Sequence, residues 1–185
     1  MLPSNLILSI KHLYAPVGLA LHTYAKQKES RQYCAASFKL NQYNVLFRQA
    51  KITPTKAGLF VTIWKRNSAG ITVPYDMQDT IDYFVIGITE NDQIGLFIFP
   101  KQILNQHGYV SENGVGGKRA IRVYPPWADK LNAQAQKTQQ WQAPYFFEIN
   151  EHNTATIERL ATMFSIAKQK IRLKDINNEK PLRSF

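Results

Sequence analysis

Tyr83-Phe84-Val85-Ile86-Gly87-Ile88 and Leu96-Phe97-Ile98-Phe99 are two apolar runs without a polar interruption, joined by a polar turn over residues 89–93. A strand with one wet face alternates apolar and polar residues, whereas a strand covered on both faces reads as a continuous run. The two runs therefore predict the central strands of a sheet with a layer on each side. Upstream, residues 33–40, 45–52 and 59–65 are rich in aromatic and β-branched residues and are separated by Asn41-Gln42 and by the turn-forming residues 53–58. They predict three strands in an antiparallel meander.

Downstream, Pro100 and Gly108 bracket a short helix over residues 100–106, with proline at its start and glycine past its end. Gly108, Gly114, Gly116 and Gly117 make residues 108–117 a flexible loop by composition. Residues 119–124 alternate as a strand that Pro125-Pro126 stops. A polar helix over 129–141 and a last strand over 145–149 follow. From Thr154, the residues Ile157, Leu160, Ala161, Phe164, Ala167 and Ile171 recur at steps of three and four, the spacing of a helix packed on one side. Residues 4–27 predict two short helical pieces broken at Pro16. Residues 172–185 hold too little apolar surface to order themselves and predict a loose tail. The sum is a single domain over residues 1–185 of the α/β, more strictly α+β, class. It has a mostly antiparallel central sheet of about six to seven strands, with N- and C-terminal helices packed on it.

Composition narrows the partners. The 185 residues are 44% hydrophobic, enough for one full core, and 23 Lys and Arg against 13 Asp and Glu leave a net charge of +10. A positive field of that size draws polyanions. Cys34 is the only cysteine, so an internal disulfide and a multi-cysteine metal site are excluded. The short run Leu6-Ile7-Leu8 is followed by Lys11 and His12, unlike a secretion signal, and no stretch has the apolar length of a membrane span. A cytoplasmic protein is expected.

The charge distribution is more specific than the total. Arg31, Lys39, Arg48, Lys51, Lys56, Lys65 and Arg66 occupy the 46 residues between Glu29 and Asp76 without one carboxylate among them. Lys118, Arg119 and Arg122 form a second cluster, interleaved with Tyr124 and Trp127. Cations that follow a phosphate backbone and aromatics on which bases stack are the two parts of a single-strand binding surface. The expected nucleic-acid contacts are therefore Arg48, Lys51, Lys56, Trp64, Lys65, Arg66, Lys118, Arg119, Arg122, Tyr124 and Trp127. The competing reading is a solvated sheet edge on which lysines discourage edge-to-edge pairing.

Other chemistries find little support. Residues 114–119 lack the spacing and the Ser or Thr of a phosphate loop, and a strand follows them where a helix would be needed. His12, His22, His107 and His152 form no metal motif, and neither a metal nor another cofactor is expected. Cys34, in an apolar setting, is expected to be a small buried hydrophobe. Asp76, Asp79 and Asp82 admit a magnesium ion, but aspartates before a strand more often bond the turn itself.

The strings Phe47-Arg48-Gln49-Ala50-Lys51-Ile52-Thr53-Pro54-Thr55-Lys56, Phe60-Val61-Thr62-Ile63-Trp64-Lys65-Arg66 and Gly117-Lys118-Arg119-Ala120-Ile121-Arg122-Val123-Tyr124-Pro125-Pro126-Trp127 resemble the MepB family, as do Asp82-Tyr83-Phe84-Val85 and Phe97-Ile98-Phe99-Pro100-Lys101. The resemblance runs over about residues 29–150. It implies a small bacterial cytoplasmic protein, of a family whose namesake is encoded beside a multidrug efflux pump and its repressor, with no established reaction. An accessory role through a protein partner is one alternative it leaves. Gln49-Ala50-Lys51 is also similar to a degenerate catalytic strand of restriction-endonuclease-like folds. The nuclease alternative would use Glu29, Gln49, Lys51 and Asp82, with glutamine where the metal-binding acid is needed. Alternation over residues 118–124 finally places Arg122 on the ligand side and Arg119 on the buried side. Arg122→Ala is then expected to weaken binding alone, and Arg119→Ala to lower the melting temperature.

Overall fold

A computed structural model describes residues 2–150 and 154–165. In chain order it contains α1 (Ser4–Ser9), β1 (Leu21–Lys26), β2 (Ala36–Leu40), β3 (Tyr43–Gln49), β4 (Lys51–Thr53), β5 (Lys56–Thr62), β6 (Trp64–Arg66) and β7 (Thr72–Pro74). There follow β8 (Tyr83–Glu90), β9 (Gln93–Pro100), α2 (Lys101–Gln106), β10 (Ala120–Val123), α3 (Ala133–Gln142), β11 (Phe146–Glu148) and α4 (Thr154–Met163). A six-stranded sheet has the order β1-β2-β3-β8-β9-β11, a three-stranded sheet the order β10-β5-β4, and β6 and β7 pair alone. The fold is mixed α+β with a mostly antiparallel main sheet.

The two apolar runs are β8 and β9, and they sit inside the main sheet. Their side chains divide between two cores. Tyr83, Val85, Leu96 and Ile98 join a cluster with Leu6, Phe47, Leu160 and Phe164 on the helix side, under α1 and α4. Phe84, Ile86, Phe97 and Phe99 join Leu59, Val61, Ile63, Ile121 and Val123 on the other side, under the three-stranded sheet. Burial of both faces is the reason neither run alternates.

The meander is corrected. β2 and β3 pair antiparallel as expected, and the end of the second run, Lys51 and Ile52 in β4, pairs antiparallel with β5, but β3 takes β8 as its other neighbour in parallel, with Val45 opposite Tyr83. Residues 50–82 leave the main sheet and build most of the second one. The reason lies in β5, whose burial alternates where that of β8 is continuous, so β5 suits a sheet with only one face on the core.

The N-terminal segment is also corrected. After α1, the turns over Ile10–Tyr14 and Ala15–Val17 end at Gly18 with φ +74°, and the second expected helical piece is the edge strand β1. A register shift between His22 and Ala25 breaks the apolar period that a strand would show. Cys34 is exposed with φ +49°, in a turn, and is not the buried residue expected. The C-terminal helix is present over Thr154–Met163, while Ala167, Ile171 and the expected tail over 172–185 lie outside the described residues. Among the described residues no helix is long and apolar enough to cross a membrane.

Candidate nucleic-acid interface

The three-stranded sheet buries Leu59, Val61, Ile121 and Val123 against β8 and β9, so the alternate residues of β5 and β10 point away from the core. Register then brings two of them, with Lys51 of β4, into one row. Arg122 lies opposite Phe60 on one side of β5, and Lys51 lies opposite Phe60 on the other. The Arg122 guanidinium stands 5.8 Å from the centre of the Phe60 ring, and the Lys51 ammonium 5.3 Å from that of Tyr33. Tyr33 itself meets Phe60 edge-on at 6.2 Å. The result is a strip of cation, ring, ring and cation across the sheet.

The Arg122 end of the strip is fixed by hydrogen bonds. Arg122 Nη1 donates to Thr53 Oγ1 at 3.0 Å and to the Gly58 carbonyl at 3.0 Å, so one guanidinium nitrogen fastens β10 to the β4–β5 turn. Gly58 has φ +71°, and a Cβ there would stand 2.5 Å from the Tyr124 ring, which passes close to this turn. Gln142 closes the free edge of β10: its Oε1 accepts from the Tyr124 amide at 2.9 Å and its Nε2 donates to the Arg122 carbonyl at 3.0 Å. A glutamine amide thereby replaces a neighbouring strand. Gln139 donates to the Pro125 and Ala128 carbonyls in the loop that follows, so two of the glutamines of α3 hold β10 and the chain after it.

Beyond the strip, the Lys118 ammonium lies 4.6 Å from the centre of the Tyr109 ring, and Arg119 is exposed. Lys51, Lys56, Lys118, Arg119 and Arg122 have no carboxylate partner among the described residues. Lys65 pairs with Asp79, and Arg66 pairs with Glu29 at 2.8 Å while lying 5.5 Å from the Trp64 ring. Those two charges are already spoken for.

Three expectations fail. Arg48 is 1% exposed, in the core, because Leu46 and Arg48 share the covered face of β3. Trp127 turns away from the strip, donating from Nε1 to Glu90 at 2.7 Å and packing edge-on against Phe146. Arg119 is exposed at the sheet edge and not on the buried side, while Arg122 lies on the outer face as expected but is half-buried and bonded. The row also contains Phe60 and Tyr33, which were missed. The alternation of residues 58–62 was enough to place Phe60 beside the lysines; Tyr33 comes from a turn distant in sequence, and no local signal places it there.

The aspartates serve their turns. Asp76 accepts from Ser111 Oγ at 2.6 Å, from the Gly114 amide at 2.9 Å and from the Gln78 amide at 3.1 Å, and these bonds pull its carboxyl down to about 2. The glycine-rich segment is thus tied to Asp76, in place of the flexible loop expected. Asp82 accepts from the Asn44 amide at 2.7 Å, and Gln49 accepts from Asn5. Glu29, Gln49 and Asp82 are each bound to a different partner, and among the described residues no group of three metal-ligating side chains is found.

The model of the MepB-like family matches residues 27–148, which include β2 to β11 and so the whole strip. A crystal structure of MepB is similar at 32% identity with a TM-score of 0.70, over 82% of this chain and 100% of that one. No curated protein matches the chain.

Proposed function

The chain belongs to the MepB-like family, and on that footing we propose that it is a non-enzymatic protein of the bacterial cytoplasm that binds nucleic acid, DNA foremost, with little sequence preference. The observation that carries this reading is the row Arg122–Phe60–Lys51 on the outer side of the three-stranded sheet. The partly exposed Phe60 ring, backed by the buried Tyr33, offers stacking to any base, while cations on both sides follow the backbone. Lys56, Lys118 and Arg119 extend the positive margin, and none is neutralised by a carboxylate among the described residues. A solvated edge needs lysines; it does not need a half-buried ring, Phe60, held between cations.

Five unpaired cations set the expected salt dependence. Plotted as log affinity against log salt, binding should fall with a slope of about −3.5 for single strands and about −4.5 for duplex. A flat plot overturns the reading. Incubation with DNA or RNA and magnesium tests the non-enzymatic half, which cleavage abolished by Lys51→Ala would overturn. A protein partner captured equally well after nuclease treatment, with no salt-dependent DNA binding, would favour the accessory role instead.

A further inference from the structure

Arg48 carries its charge into the interior without an anion beside it. Its Nη1 donates to the Phe47 carbonyl at 2.8 Å, and its Nη2 to Gln27 Oε1 at 2.7 Å and to the Tyr75 hydroxyl at 3.3 Å. Its Nε finds no partner among the described residues. All three acceptors are neutral, since burial raises the Tyr75 phenol above its ordinary value and keeps it protonated. A guanidinium cannot escape by losing its proton, and a buried charge without a counter-charge is strongly destabilising. The nearby Asp79 is already paired with Lys65.

A cavity of about 290 Å³ lies on the same face of the main sheet. Its floor is the facing pairs Ser37–Leu46 and Lys39–Asn44 of β2 and β3. Asn44, Leu46 and Arg48 alternate on one side of β3, so the floor leads along the strand towards the guanidinium. Gln27 and Tyr75, the two side chains that hold Nη2, both belong to the cavity wall. The charge therefore stands directly behind its own neutral acceptors. Ser37, Asn44 and Thr80 add hydrogen-bonding groups, Leu46 and Ile81 an apolar side, and Lys39 a second cation.

We propose that this cavity binds a small organic molecule bearing a phosphate or carboxylate, whose oxyanion displaces Gln27 or Tyr75 and pairs with the Arg48 guanidinium. Water fills the space equally well but brings no charge. A nucleic-acid backbone is too broad for a cavity at the small end of ligand sites, and the lining shares no residue with the strip on the three-stranded sheet. The site is thus separate from the proposed nucleic-acid surface and stands or falls without it.

Thermal melts with ribose 5-phosphate, inorganic phosphate and gluconate, each against sodium chloride of equal ionic strength, test the proposal. A rise of about 5–10 °C is expected at roughly one hundred times the dissociation constant of the bound probe. Ribose 5-phosphate and phosphate acting without gluconate would identify a phosphate ligand, and gluconate alone a carboxylate. Ser37→Leu fills the cavity from its floor without touching Arg48, and should abolish the shift while leaving DNA binding intact. Arg48→Met should abolish it too and melt no lower than the unliganded protein, since the unpaired charge is gone. If Arg48→Met fails to fold, Ser37→Leu decides. No shift with any probe, or an equal shift in Ser37→Leu, overturns the proposal; the second result would mark a general salt effect on folding.

Discussion

In β8, at the centre of the main sheet, Tyr83 to Ile88 are all buried, whereas in β5, at the centre of the smaller sheet, only Leu59 and Val61 are buried and Phe60 and Thr62 remain partly exposed. The two strands face each other across one core. One has given both faces to packing, and the other keeps a face for solvent. A strand of the first kind can stabilise a site but presents no side chain to a ligand. A strand of the second kind carries the core and an interface at once, on alternate residues. The division explains why every cation without a carboxylate in the proposed interface lies on or beside the smaller sheet.

The largest effect should come from the main sheet. Phe97 is fully buried and packs on Phe99 and Phe146. Phe97→Ala should cost about 3–5 kcal/mol and lower the melting temperature by on the order of 10 °C. DNA affinity, measured well below the new transition, should be unchanged. A loss of affinity in the folded mutant would break the separation of the two sheets.

Arg122 belongs to both roles. Arg122→Ala removes a charged donor from the Thr53 hydroxyl and the Gly58 carbonyl, and should cost about 1.5–3 kcal/mol in denaturant melts together with a loss of DNA affinity. Phe60→Ala should reverse the balance seen at Phe97. Its ring is only half-buried, and its loss should weaken binding by about 1–3 kcal/mol, roughly 5- to 150-fold, with a smaller change in stability. Equal loss of stability at Phe60 and Phe97 would show that both faces of β5 are core.

The same contrast governs what the sequence revealed. The central strands were legible because covering both faces erases alternation, and that erasure is visible in Tyr83 to Ile88 without any knowledge of partners. The second sheet was not legible as a sheet. The run over 59–65 read as a strand, but β5 begins at Lys56, inside the stretch read as a turn, and ends at Thr62; which neighbours it chooses depends on β10, some sixty residues later, and no local pattern records that pairing. The cations of the proposed interface were chosen by charge clustering, and the structure places Lys51 and Arg122 together on the outer face of the smaller sheet. The choice fails at Arg48 because charge density ignores which face of β3 a residue occupies. It fails at Trp127 because one hydrogen bond to Glu90 settles where the indole points.

Arg119 offers a finer test. It is exposed and has no carboxylate partner among the described residues, so Arg119→Ala should leave stability within about 0.5 kcal/mol of the parent. If it touches one phosphate, the salt slope should become shallower by about 0.7–0.9, uniformly across sequences. A fall in melting temperature would return Arg119 to the buried side.

The smallest effect is acid release of the glycine-rich segment. Among the described residues the buried polar groups of the core are Asn5, Ser9, Arg48, Ser111, Gln142 and Thr156, with no carboxylate, so acid has nothing to protonate inside the main sheet. Beside the smaller sheet, Asp76 holds Ser111, Gly114 and Gln78 most strongly while ionised. Its carboxyl titrates near 2 when folded and near ~3.9 when unfolded. A carboxyl depressed on folding adds stability that is fully present above the unfolded value and is lost as the pH falls through the folded one. The stability difference between the parent and Asp76→Asn should therefore be constant above about pH 5 and shrink between about pH 4 and pH 2. The Gly114 amide resonance should shift with a midpoint near 2, while Val85 in β8 shows no change over the same range. A midpoint at the ordinary carboxylate value would mean that Asp76 does not hold the segment. Val85 shifting together with Gly114 would mean that the two sheets respond to acid as one body.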